Sequence, residues 1–353
     1  MEYKKLLGRN DFRAAVLQRD GACVLCGAAP DAGLVAHHII ERRLFTDPEE
    51  AGGYFAANGA AVCPECHWRC ESTEVSPEKV REAAGIEKAV LPLHLYPDQS
   101  ITKWGDLVLA DGTRLKGELF DDPSVRKVIA PYLHLYDERV KYPRTHHLPW
   151  SAGVTDDDRV MKDFEAAFEG REVVVTAKFD GENTSLYRDH IHARSLDGRS
   201  HPSRDWVKNL HSRMAHDIPQ GWRVCGENLY AVHQIRYRAL ASYFLGFSVF
   251  DSANHCLSWD ETLEWLALLG LAAVPEIYRG PPDPETIHRA WQEYAESTPE
   301  GISEGYVARD AGAFHYRQFR ERVAKYVRGG FVAGRPHWFY GRRMEVNGLA
   351  GES

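Results

Sequence analysis

Lys178 stands at the end of the apolar run VVVTA in the stretch AKFDGENTSLY, residues 177 to 187, and an Asp-Gly pair follows it. Asp-Gly between β-branched and aromatic runs is a hairpin signal, because glycine supplies the positive φ of the turn. The lysine needs its own explanation, since burying an ammonium beside a strand costs several kcal/mol unless it is paired or deprotonated. A second set of reactive side chains lies near the start, where CVLCG and CPECH form two C-x2-C knuckles. Cys23, Cys26, Cys63 and Cys66 at that spacing read as a tetrahedral Zn2+ site, the bland alternative being redox thiols. Cys70 joins this crowd, while Cys225 and Cys256 stand alone as core candidates. In a chain with no export signal such clustering means metal before disulfide.

A chain of 353 residues is long enough for two or more domains of ordinary globular composition. Its start, MEYKKLLGRNDFRAAV, lacks the apolar core of a signal peptide, and the longest apolar stretch, LEWLALLGLAAV, is short and carries Glu264. The expectation is a cytoplasmic protein with no membrane partner. A net charge of −8 argues against a chain that coats nucleic acid by bulk attraction. Charge acts locally, however, and residues 317 to 343 run RQFRERVAKYVRGGFVAGRPHWFYGRR. That composition suits a nucleic-acid groove, and equally a solvated basic face.

The elements that must position these groups divide the chain. Residues 1–90 hold the Cys and His cluster and close with SPEKVREAAGIEKA, where Ser76 caps a helix and Pro77 takes its first position. Residues 91–140 read as short strands and turns followed by a helix, a connector whose role the sequence does not tell. The phrases LPLHLYPD and PYLHLYDE are too brief to make a repeat. After the Pro-rich linker KYPRTHHLPWSAGVTDDD, residues 141–330 alternate strand-like runs with helices such as RDWVKNLHSRMAHD and PETIHRAWQEYAE. Most strands are joined by hairpins or short turns, which predicts a mostly antiparallel α+β domain. Residues 331–353 remain as a basic, aromatic tail.

Between and after the cysteine knuckles lie VAHHII, Asn58 and HWRCE. This arrangement resembles the HNH endonuclease family, with its zinc-stapled ββα-metal fold. The resemblance implies His37 as a metal ligand and His38 as the general base that activates water. Asn58 would hold His38 or the loop in position and counts among the metal residues, and His67 would be a second ligand. Glu71, at i+4 from His67, would complete the site. DNA is the partner this module would add. A neutral imidazole takes a proton near pH 7, and a divalent ion neutralises the scissile phosphate. The pair His146 and His147 lacks any such context.

KFDGEN, in turn, resembles motif I, K-x-D-G-x-N, of the covalent nucleotidyltransferases, the superfamily of ATP-dependent ligases and RNA capping enzymes. Further motifs follow in order from Tyr142 to Arg328. HARS carries Arg194, CGEN carries Glu227, GFSVFD carries Phe250 and Asp251, EGYVARD carries Glu304, Gly305 and Arg309, and VAKYVR carries Lys325. The resemblance implies an ATP-grasp-like nucleotidyltransferase domain, of the RNA ligase kind, in which Lys178 forms lysyl-AMP. Lys178, Asp180, Gly181 and Asn183 would surround the nucleotide, and Phe250 would stack on adenine. Arg194, Arg309 and Lys325 would depress the lysine pKa and hold the phosphates, while Glu227 and Glu304 would bind Mg2+ or Mn2+.

Each residue alone has a bland reading: Asp180-Gly181 as a turn, Phe250 as core, Lys325 as a solvated strand position, Glu304-Gly305 as a loop. Their joint order makes the bland reading improbable. Two departures stand out: Val323 and Val327 flank Lys325 where K-x-K is common, and about twenty-five residues follow motif V, too few for an OB-fold. The function this resemblance implies is an ATP-dependent RNA ligase that seals 3′-OH and 5′-phosphate ends through lysyl-AMP and an adenylylated RNA end, in RNA repair on nicked, broken, duplex or transfer RNA. The alternatives are an HNH metal-dependent nuclease coupled to a ligase, a GTP-using capping-type enzyme, and a non-catalytic nucleic-acid binder.

Overall fold

The computed structural model describes residues 5–110, 112–136, 139–196, 201–331 and 344–351. The chain forms two compact units, Met1–Glu138 and Arg139–Ser353.

In the first unit, α1 (Arg9–Asp20) ends at Gly21, whose φ of 65° is the left-handed stop that glycine tolerates. β1 (Val35–His38) pairs antiparallel with β2 (Gly59–Val62), with His37 opposite Ala60. α2 (Pro64–Glu71) starts with proline at its first position, and Ser76 caps α3 (Pro77–Ala83) by accepting the Lys79 N–H. Phe12 and Val16 of α1 are buried with Ala61, Val62, Cys23 and Cys63. Residues 91–138 belong to this unit as well. β3 (Ser100–Ile101), β4 (Leu107–Val108) and β5 (Arg114–Leu115) form a small antiparallel sheet, and α4 (Pro123–Ile129) follows. Val90, Leu95 and Ile101 share one core with Ile40, Leu44, Phe45 and Phe55. The segment that sequence leaves as a connector is thus packed onto the loops around β1.

The second unit is mixed α+β with mainly antiparallel sheets. Its elements in order are β6 (His146–His147), α5 (Phe164–Phe168), β7 (Val173–Lys178), β8 (Glu182–Leu186), β9 (Ile191–Ala193), α6 (Asp205–Met214), β10 (Arg223–Asn228), β11 (Phe244–Phe250), β12 (His255–Cys256), α7 (Trp259–Leu268), β13 (Ala272–Ala273), β14 (Glu276–Gly280), α8 (Pro284–Ser297), β15 (Gly305–Asp310), β16 (Phe314–His315), α9 (Phe319–Arg322) and β17 (Val323–Val327). One sheet runs β16-β12-β11-β10-β8-β9, with β13 beside β11; the other runs β14-β7-β15-β17-β6.

Period-2 alternation divides the faces. Val173, Val175, Tyr306 and Ala308 turn outward against Ile287 and Trp291 of α8. Leu186, Val224, Phe244 and Val249 turn outward against Val207 and Met214 of α6 and Leu266 of α7. The inner faces meet, joining Val174 and Val327 to Leu229 and Leu245, and Val323 to Cys225 and Phe250. A β-bulge at Cys225/Gly226 leaves Phe247 without a partner on β10.

Of the basic, aromatic tail, residues 332–343 lie outside the described residues. Asn347 further on ties down the loop after β10: its side chain accepts the Tyr237 N–H at 2.8 Å and donates to the Leu229 carbonyl at 2.7 Å. Among the described residues no helix is long and apolar enough to cross a membrane.

Candidate active site and metal centres

Lys178 ends β7 on the inner face, in register with Gly305 of β15. Glu304 precedes Gly305, and the Lys178 Nζ lies 2.7 Å from each of its carboxylate oxygens. The lysine side chain keeps 23% of its surface exposed, so the pair lines an opening rather than a sealed core. From the other sheet, Glu227 of β10 faces the same space, and the Gly181 N–H donates to its Oε1 at 3.1 Å. A Cβ on Gly181 would meet the Asn228 carbonyl at 2.6 Å and Leu229 Cδ2 at 2.8 Å, so this turn accepts only glycine.

Asn183 of β8 is cross-strand partner to Glu227, and the Arg194 N–H donates to the Asn183 carbonyl. Asn183 Oδ1 and Arg194 Nε are both buried without a hydrogen bond. Unpaired polar atoms in such a place are available to a ligand or to water, because each costs about 1–3 kcal/mol if left unsatisfied. Lys325 of β17 is in register with Val307 and with His147 of β6. Burial and the Lys178 charge push its pKa down, with the Arg194 charge adding to them, while Asp158 and Glu304 pull it back.

Electrostatics correct one expectation. Burial lowers the Lys178 pKa, but the Glu304, Glu227 and Asp180 carboxylates outweigh it and the net shift is upward. The cations expected to neutralise the lysine are outnumbered at close range by acids. Burial in turn pushes Glu227 up to about 8 against the pull of Lys178, and raises Glu304. Two carboxylates facing one space, both raised, form a hard-oxygen donor set that suits Mg2+ or Mn2+.

Other expected positions lie elsewhere. Asp180 accepts the N–H groups of Gln234 and Ile235 at 2.6 and 3.0 Å and so holds a loop. Phe250 is fully buried among Tyr142, Cys256, Phe314 and Phe319, with the Arg223 guanidinium 4.2 Å above its ring, and has no face for adenine. Asp251 accepts the Ala253 and His255 N–H groups and caps the turn into β12. Arg309 is buried, donating to the carbonyls of Asp310, Phe247 and Leu257, so it joins strands instead of reaching the opening.

Residues 171–327 match the family model for RNA ligase. The match contains Lys178, Asn183, Arg194, Glu227, Glu304 and Lys325, every side chain just described around the opening. Among solved structures, the chain is similar to a protein provisionally described as an ATP-dependent DNA ligase from Aquifex aeolicus (19% identity, 54% of this chain and 50% of that one, TM-score 0.38). It is also similar to a lysine-to-alanine mutant of the Naegleria gruberi RNA ligase with ATP and Mn (17%, 55% and 62%, TM-score 0.34). An archaeal ATP-dependent RNA ligase is a third such neighbour (15%, 75% and 64%, TM-score 0.38). The chain spans between half and two-thirds of the length of these three proteins. No curated protein matches it.

Sequence reasoning missed two groups on the inner faces of the sheets. Phe247, the bulged residue, is half-buried between the sheets, edge-on to Tyr142 at 5.3 Å. His147 lies beside Lys325, with Ser151 Oγ 2.8 Å from Nδ1 and Asp158 Oδ2 3.4 Å from Nε2. A count of strand alternation corrected for the bulge would have found Phe247; nothing in the sequence pairs His147 with Lys325.

The first unit holds two further clusters. The Cys23, Cys26, Cys63 and Cys66 sulfurs lie within 4.8 Å of one another, and those of Cys26 and Cys63 are 3.7 Å apart. Tetrahedral Zn–S bonds of about 2.3 Å require sulfurs roughly 3.8 Å apart, so the set fits zinc. His37, His67 and Glu71 form the second cluster: Glu71 Oε1 is 3.4 Å from His37 Nδ1 and 3.3 Å from His67 Nε2. His37 Nδ1 is buried and makes no hydrogen bond. Burial, then the Lys103 ammonium, push His37 down to about 3, so its ring is neutral and free to ligate.

Two HNH expectations change. Asn58 is engaged with backbone on both ends of its amide, accepting from Ile40 N–H and donating to the Ile40 and Gly53 carbonyls. It holds the loop and has no lone pair directed at a metal. His38 follows His37 on the strand, so its ring takes the opposite face, stacked on Phe12 at 4.5 Å and edge-on to Tyr54.

Proposed function

We propose that this chain is an ATP-dependent RNA ligase that works through a lysyl-AMP intermediate. The reading is carried by one coincidence: the RNA ligase match over residues 171–327 contains the paired Lys178 and the two unsatisfied atoms, Asn183 Oδ1 and Arg194 Nε, that are available to a ligand. In the first step, the Lys178 nitrogen attacks the ATP α-phosphorus and the bond to the bridging oxygen breaks, releasing pyrophosphate. The AMP then passes to an RNA 5′-phosphate, and a 3′-hydroxyl displaces it as the strand is sealed. Arg194 and Lys325 stabilise charge on the phosphoryl oxygens, and Asn183 accepts a donor from the nucleotide. Phe247 offers the ring on which the base stacks. A divalent ion held by Glu227 and Glu304 would neutralise those carboxylates and the triphosphate, favouring loss of the Lys178 proton. RNA with 3′-OH and 5′-phosphate ends is the substrate, in the cytoplasm.

The test is covalent labelling. Protein first stripped with pyrophosphate is incubated with Mg2+ and α-labelled ATP or GTP, beside Lys178→Ala, then denatured. Label from ATP alone, lost in the variant, is expected. Label from GTP alone would favour a capping-type enzyme, and no label from either would end the nucleotidyltransferase reading.

For the first unit the reading is a zinc-stapled, HNH-like module that binds a second divalent ion through His37, His67 and Glu71 and engages nucleic acid, RNA or DNA. The buried Nδ1 of His37, which makes no hydrogen bond and faces Glu71 Oε1, favours a metal there. The position of His38, turned onto Phe12, gives cleavage less support than binding. Incubating the protein with Mn2+ and an end-labelled duplex tests this: cleavage lost in His38→Ala, with ligation intact, would restore the nuclease.

A further inference from the structure

The His37, His67 and Glu71 cluster has a fourth group beside it, a cation contributed from outside the ββα motif. Lys103 lies in the turn between β3 and β4, and the residue is 4% exposed. Its Nζ donates to the His38 carbonyl at 2.9 Å. It also lies 3.2 Å from Glu71 Oε1 and 3.4 Å from Glu41 Oε2. The turn that presents it is pinned on both sides. The Glu41 N–H donates to the Lys103 carbonyl at 3.0 Å, and Trp104 Nε1 donates to the Glu71 carbonyl at 2.8 Å.

Glu71 Oε1 is therefore a shared atom. It is the oxygen toward which both imidazole nitrogens converge, and it already has an ammonium against it. Two carboxylates and one ammonium leave the cluster with a net charge of −1 toward an incoming ion. Without the ammonium that charge would be −2. Charges a few ångströms apart and shielded from water interact strongly enough to move an affinity by about a decade or more.

We infer that Lys103 is an internal counter-cation that holds the divalent-ion affinity of the His37, His67 and Glu71 site low, with Glu41 as the opposing charge. This inference rests on the metal reading of that cluster. With the ion in place and Lys103 retained, the site carries a net charge of +1, which a phosphodiester would balance. Ion and nucleic-acid backbone then load together.

The experiment titrates Mn2+ into the full-length, ATP-free protein and follows the free ion by electron paramagnetic resonance. Binding that disappears in Glu71→Gln is assigned to this site. Lys103→Met is expected to bind Mn2+ at least tenfold more tightly than the wild type, Lys103→Arg about equally, and Glu41→Gln more weakly. A purely structural lysine predicts the reverse, with Lys103→Met weakened along with Glu41→Gln. Equal or weaker binding in a folded Lys103→Met protein, checked by circular dichroism and zinc content, overturns the inference. So does unchanged or tighter binding in Glu41→Gln, which does not depend on whether Lys103→Met folds. If no Mn2+ binding depends on Glu71 in any variant, the metal site itself falls, and the role of Lys103 with it.

Discussion

Glu304 grips Lys178 through both carboxylate oxygens, each 2.7 Å from Nζ, across two antiparallel strands whose register is fixed by the Lys178 and Gly305 pair. The nucleophile is thereby aimed before any nucleotide arrives. Glu304→Gln keeps the shape and loses the charge, so adenylylation of Lys178 should slow by about 10²-fold or more. The rate of label transfer from ATP, measured beside an unchanged melting transition, checks this.

Glu227 makes the stability of the metal-free protein depend on pH. Its folded pKa, about 8, lies above the ordinary carboxylate value because burial penalises the charge, so between about 4.5 and 8 the folded state holds a proton that the unfolded state has lost. Stability should therefore fall as pH rises through that window. Glu227→Gln should remove a decline on the order of a few kcal/mol, and saturating Mg2+ should shrink the difference between the two proteins. Urea titrations at pH 5, 6.5 and 8 would reveal it.

Zinc should be needed by one unit and dispensable to the other. Structural zinc sites contribute on the order of 10 kcal/mol to folding, enough to account for all the stability of a small module. Cys63→Ser, or prolonged chelation, should release about one zinc per chain and make residues 1–138 protease-sensitive. Lysyl-AMP formation should persist once Mg2+ is restored.

Aromatic substitutions separate core from nucleotide contact. Phe247→Ala should raise the KM for ATP about tenfold with a small change in stability. Phe250→Ala should cost about 3–5 kcal/mol of stability, and the folded remainder should bind ATP normally. Equal ATP affinity in wild type and Phe247→Ala would remove Phe247 from the nucleotide site.

Gly181→Ala should be tolerated poorly although it adds one methyl group. The clash with the Asn228 carbonyl can be relieved only by moving β8 away from β10, which would cost about 1–3 kcal/mol and slow adenylylation by an order of magnitude or more. Thermal melts and labelling rates read the two effects separately.

Strands, hairpins and the antiparallel character of the second unit were legible because period-2 alternation and Asp-Gly turns are local signals. The order of the motif-bearing residues was legible too, and Lys178, Asn183, Arg194, Glu227, Glu304 and Lys325 do surround one opening. Phe250 was misassigned because rings from distant parts of the chain, Tyr142, Phe314 and Phe319, cover it, and no local pattern announces them. Arg309 looked like a phosphate ligand until the Phe247 and Leu257 carbonyls, more than fifty residues away, were seen to bind it. Lys103 was invisible for a similar reason: it belongs to a stretch with no motif, and its meaning comes from partners 32 and 62 residues upstream, as well as from the backbone of His38.

The packing of residues 91–138 into the first unit has a practical consequence. An expression boundary after residue 90 would leave Ile40, Leu44, Phe45 and Phe55 without Leu95 and Ile101, and would leave Glu41 and Glu71 without Lys103 between them. Such a fragment should come out of the cell as inclusion bodies, whereas a cut after residue 138 keeps that core and its ion pairs whole. Moved without residues 91–138, the cysteine knuckles would carry away a module missing one of its walls.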